Sequence, residues 1–129
     1  MRCLSLLLVL MAVPVVAQDA ERGADVFATY CATCHGPEGR GDGPMVSVLE
    51  ILPADLRGLA NRAGGAFPVA DVARKIDGRD PLLSHGGPMP VYGFFFRGDD
   101  VAIPSESGQP ILTTQPLADV LAFLETLQD

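Results

Sequence analysis

The residues best suited to chemistry occupy five consecutive positions, Cys31-Ala32-Thr33-Cys34-His35. They include two of the three cysteines and one of the two histidines in the chain. Residues i and i+3 of a helix project from one face, so both thiols can reach the edge of one flat macrocycle. Each thiol can add to a vinyl group and form a thioether. His35, four residues after Cys31, can then turn its imidazole toward a central iron. C-x-x-C-H is the attachment signature of c-type haem. Other uses of the pair fit less well. A thioredoxin-type redox pair belongs in a βαβ context, which the surrounding pattern lacks. A four-ligand zinc site needs further Cys or His, and only His85 remains in the chain after the leader. A disulfide between neighbours three apart closes a very small loop and restricts the unfolded chain little.

An iron ligated on both faces needs a second axial donor. The candidates are Met45, His85 and Met89. Met89 stands in GGPMPVYG, between Pro88 and Pro90. A residue before proline is held extended, so this segment presents a thioether from a stiff loop. A loop methionine more often fills gaps in a core, but two prolines and two glycines around it make poor core design. Met89 is the expected ligand, His85 its rival, and Met45 reads most simply as packing. The cofactor expected is one covalently bound haem c, with Cys31 and Cys34 as thioethers and His35 and Met89 on the iron.

The elements that must position these residues are helical. Asp19 to His35 predicts one helix, with Phe27, Tyr30, Cys31 and Cys34 on one face and Gly36-Pro37 as its stop. Leu117 to Leu127 predicts another, with Pro116 in its first turn. Val69 to Ile76 reads as a shorter helix, and Asp55 to Arg62 as a turn or two. Gly23 lies mid-helix, one turn before Phe27, where glycine costs about 1 kcal/mol against alanine; close approach of a second helix would account for it. The remainder is rich in breakers: Gly36 to Pro68 holds 7 glycines and 4 prolines in 33 residues. No run alternates cleanly enough to predict a sheet. The fold class expected is all-α, three to five short helices and long loops wrapped around one haem. So few helices do not fill a core alone, and a large flat apolar cofactor would.

The first 17 residues read as a separate unit. Arg2 precedes an uncharged apolar run, and Val15 and Ala17 stand at the −3 and −1 positions of a cleavage site, the pattern of a secretory signal peptide. The run is shorter than the roughly 20 residues of a spanning helix and contains Pro14. The domains expected are 1–17, a cleaved leader, and 18–129, which places the mature protein in the periplasm without stable membrane insertion. Without Arg2 the chain keeps eight basic residues against 16 acidic ones, a formal charge of −8. That balance argues against nucleic acid and anionic lipid surfaces. It suits a partner with a basic docking patch, and equally serves plain solubility.

With these residues in view, the chain resembles a class I (monohaem, His/Met) cytochrome c of bacterial type over residues 19–129. The matching pieces are Gly23 and Phe27, CATCH, GRGDGP at 39–44, LPADL at 52–56, PMPVYG at 88–93 and LADVLAFLETL at the end. The resemblance implies that Gly23 and Phe27 meet Phe123 where the terminal helices cross. It implies that the carbonyl of Pro44 accepts the Nδ1–H of His35. Residues 94–114 exceed what compact members need and are expected to form an extra loop or hairpin over one haem edge. The chain has no tryptophan, which family members often use near the propionates; Tyr92, Arg57 and Arg62 are the substitutes considered. His/Met ligation raises a haem's potential and leaves no open iron position. The expected function is therefore a soluble one-electron carrier between redox partner proteins of a respiratory or dehydrogenase chain, not an enzyme. The alternatives are a haem subunit of a larger oxidoreductase complex and a haem-based gas or redox sensor.

Overall fold

The computed structural model describes residues 18–79 and 89–129. Helix α1 spans Ala20–Tyr30 and starts on Asp19, whose carboxylate accepts the N–H groups of Glu21 and Arg22. It stops where a single helix to His35 was expected. At Cys31 the backbone turns (φ −113°, ψ −37°) and a separate turn, α2, runs over Ala32–His35. The N–H groups of Cys34 and His35 both donate to the Cys31 carbonyl, at 3.1 and 2.9 Å. Two donors on one acceptor leave the Tyr30 carbonyl outside the helical ladder.

Helix α3 is short, Leu59–Arg62. Helix α4, Val69–Asp77, ends on Gly78 in the left-handed conformation. Helix α5, Gln115–Thr126, carries Pro116 in its first turn. The α1–α5 crossing is the centre of the fold. A methyl at Gly23 would overlap the Asp119 carbonyl oxygen and stand 3.0 Å from the Phe123 Cβ. One turn on, the Phe27 and Phe123 rings meet with centroids 5.2 Å apart. Gly23 and Phe27 thus meet Phe123 as expected, and close backbone approach explains the mid-helix glycine. Phe27, Val120 and Leu121 are fully buried there, and the core extends to Cys31, Phe67, Ala73, Ile76, Phe96 and Ile103.

Asp119 is the exception in this apolar helix face. It is 3% exposed. Its carboxylate accepts the backbone N–H of Asp19 at 2.8 Å, the Gln115 side-chain amide at 2.6 Å and the Arg22 Nε–H at 3.2 Å. A buried carboxylate needs such partners, and these tie the start of α1 to α5.

No sheet was expected, and one small one is present. Strands β1, Asp100–Ile103, and β2, Ile111–Thr114, pair antiparallel with Asp100 opposite Thr114 and Ile103 opposite Ile111. The 94–114 stretch is therefore the hairpin of the two forms considered. It packs on α5. Only Ile103 and Thr113 are buried in the two strands, too few inward positions for an alternating pattern to show. Phe94, Phe95 and Leu112 nearby are about two-thirds or more exposed, at 79%, 69% and 68%. A 3-10 turn at Pro44–Val48 was also unanticipated. Among the described residues no helix is long and apolar enough to cross a membrane.

Candidate haem-binding site

The break in the first helix creates the site. Cys31 lies at the break and is buried, and Cys34 is half-buried one turn on. Burial pushes the Cys31 thiol up to about 11, and the neighbouring Cys34 adds to the shift. That is opposite to the depressed value of a catalytic redox thiol. The described sheet is an antiparallel hairpin, so the pair also lacks a thioredoxin-type frame. Among the described residues no three His, Cys, Asp or Glu side chains gather to hold a bare metal ion. His85 lies outside the described residues.

The loop after His35 folds back and clamps it. The N–H of Gly41 donates to the His35 carbonyl at 2.7 Å, and that of Gly43 to the Cys34 carbonyl at 3.1 Å. Gly41 has φ +80°, and a methyl there would run into the Pro53 carbonyl oxygen. The Gly41 position is thus glycine by both conformation and space, and it lets residues 53–54 come close to His35. There His35 Nδ1 lies 3.1 Å from the Ala54 carbonyl oxygen. This corrects the expectation that Pro44 supplies that carbonyl. Pro44 opens the 3-10 turn, whose carbonyls point along the turn toward N–H groups three residues on.

Burial lowers the His35 pKa, and the bond to Ala54 opposes the shift in part. A neutral imidazole with Nδ1–H donated to a carbonyl keeps its lone pair on Nε2. Such a carbonyl fixes ring orientation and raises ligand basicity. The 3-10 turn packs beside α2. Met45, in that turn, is 39% exposed, and Val48, Ile51 and Leu52 are 60–70% exposed. Two thiols three apart, an oriented imidazole and an adjoining turn with Met45 and Val48 exposed suit an apolar macrocycle attached at its edge.

Met89 is half-buried and packs against the core cluster that contains Cys31. The segment following it returns to the cysteine turn: the Tyr92 hydroxyl donates to the Tyr30 carbonyl at 2.9 Å. Burial raises the Tyr92 pKa, with Cys31 and Cys34 adding to it. Arg57 forms a two-point contact with Asp55, at 2.6 and 3.1 Å, which draws the Asp55 carboxyl down to about 2. Arg62 donates to the Asp55 backbone carbonyl at 2.6 Å. The three side chains considered for propionate contacts thus each have a protein partner. Sequence reasoning missed Ala54 and the Tyr30 carbonyl, because backbone acceptors carry no residue-type signal. Asp119 had a signal, one acid in an apolar helix stripe, and was passed over.

A small, mostly helical domain with crossed terminal helices and a C-x-x-C-H turn at the helix break defines a c-type haem protein. The family model described as cytochrome c matches residues 20–128, and the chain belongs to that family. It carries covalently bound haem c with its iron and is a haem-based electron carrier. Comparison with curated proteins and with solved structures found no match.

Proposed function

We propose that the protein is a soluble, exported one-electron carrier with one haem c, held by thioethers from Cys31 and Cys34 and ligated by His35 and Met89. The strongest support is the His35 ring. Its Nδ1 is committed to the Ala54 carbonyl and its pKa is lowered by burial, so Nε2 is the atom available to iron. Haem with a nitrogen and a thioether ligand supplies one-electron chemistry at a raised potential. The chain's own part is to keep both donors in place in either oxidation state and to exclude other ligands. This is the work of a carrier and not of an enzyme.

The apolar leader at 1–17 supports export to the periplasm, with 18–129 as the mature domain. A formal charge of −8 on that domain suits redox partners with a basic docking patch, in a respiratory or dehydrogenase chain. Electron-transfer contacts are small and weak, and charge speeds their formation. One observation favours a second reading, a haem subunit of a larger oxidoreductase: Phe94, Phe95 and Leu112 are largely exposed beside the hairpin. Size-exclusion of the native extract, followed by haem absorbance, separates the two. The carrier elutes at its own mass; the subunit does not.

The decisive test is the optical spectrum of the purified ferric protein. A weak sulfur-to-iron band at long wavelength is expected, and Met89→Ala should abolish it while leaving the covalent haem in place. Survival of the band in that variant would move the ligand to Met45 and overturn the assignment.

A further inference from the structure

We propose that Tyr92 is a positioning residue that fastens the methionine segment to the haem-attachment turn and so sets how firmly Met89 is held on the iron. The proposal rests on the reading of Met89 as the axial ligand.

The break at Cys31 leaves the Tyr30 carbonyl without a helical partner, because Cys34 and His35 both donate to Cys31 instead. Helix ends leave carbonyls that must find partners elsewhere. The donor that satisfies this one comes from far along the chain: the Tyr92 hydroxyl donates to it at 2.9 Å, across 62 residues. Tyr30 is the residue before Cys31, and Tyr92 is three residues after Met89. One hydrogen bond therefore joins the segment that leads into Cys31 to the segment that follows Met89.

The tyrosine is itself well fixed. Its N–H donates to the Ile76 carbonyl at 2.8 Å, and its carbonyl accepts from Phe95 and Phe96 at 2.8 and 3.1 Å. Its ring stacks on Phe96 with centroids 5.6 Å apart and planes 14° from parallel. Tyr30 meets both rings edge-on, at 6.2 and 5.5 Å. Gly93 lets the segment pass close to the end of α4, since a methyl there would overlap the Asp77 carbonyl oxygen. Phe96 is 3% exposed and part of the core. The phenol is thus the free end of a rigid arm, and its hydroxyl decides where the preceding residues lie relative to Cys31.

Exogenous imidazole competes with Met89 for the ferric iron. Its apparent affinity scales with the fraction of protein whose methionine has left. Tyr92→Phe keeps the ring and removes only the hydroxyl. Loss of one such hydrogen bond shifts that fraction by roughly five- to tenfold, so imidazole should bind the variant about five- to tenfold more tightly. Asp119→Ala serves as the comparison, because it loosens the far end of α1 without touching the Tyr30–Tyr92 pair. It should lose global stability with imidazole affinity unchanged. A Tyr92→Phe affinity within about twofold of wild type, with the long-wavelength band present in both, overturns the clasp and leaves the ligand assignment standing. Absence of the band in the wild type overturns the ligand assignment, and the clasp falls with it.

Discussion

Replacing Gly23 with alanine sets two physical effects of opposite sign against each other. In an isolated helix the change is favourable by about 1 kcal/mol. At the α1–α5 crossing the new methyl would overlap the Asp119 carbonyl oxygen, with the carbonyl carbon 2.5 Å and the Phe123 Cβ 3.0 Å away. Ordinary contact begins near 3.4 Å, so the helices must part by about 1 Å. The obstruction is backbone, which cannot swing aside as a side chain would. Parting the helices also stretches the Phe27–Phe123 contact and the Asp119 bond to the Asp19 N–H. Overpacking of this kind costs about 1–3 kcal/mol, and a weakened hydrogen bond to a carboxylate adds about 1 kcal/mol. After the gain in helix propensity, the net loss is about 1–3 kcal/mol. For a domain of this size that lowers Tm by about 4–15 °C. Guanidinium unfolding of the holoprotein, followed by far-UV circular dichroism and Soret absorbance, measures the difference directly. Equal or greater stability for Gly23→Ala would refute the claim that close helix approach selects glycine here.

Asp119→Ala removes the acceptor of three donors and leaves the part-buried Asp19 N–H without it; a loss of about 2 kcal/mol is expected by denaturant titration, moderated because Arg22 is 59% exposed. Asp55→Asn tests the Arg57 contact through pH. The Asp55 carboxyl is held near 2 in the folded chain, below its ordinary value near 3.9. Its stabilisation is therefore complete above pH 4 and fades as pH falls toward 2. The wild type should be the more stable at pH 7 and the two proteins should converge near pH 2, as thermal melts across that range will show; a constant difference at every pH would contradict the account.

Much of the site was legible because its chemistry is encoded in residue type at short range. C-x-x-C-H and the spacing of Gly23 to Phe27 and Leu117 to Leu127 can be read from neighbours a few positions apart. These local patterns also predict α1, α4 and α5, since a helix is built from contacts three and four residues apart. The cytochrome c family follows from them.

Tertiary structure decided what depends on partners distant in the chain. The single helix expected over 19–35 breaks at Cys31, and no propensity marks the place. The carbonyl that holds His35 belongs to Ala54 and not Pro44, because Gly41 admits the 53–54 segment and the 3-10 turn directs the Pro44 carbonyl elsewhere. The hairpin at 100–114 draws its stability from packing on α5, with only two buried strand residues of its own. The Tyr30–Tyr92 bond joins residues 62 apart through a backbone oxygen. Every residue type has that oxygen, so sequence cannot single it out; only the folded chain brings it within reach of a donor.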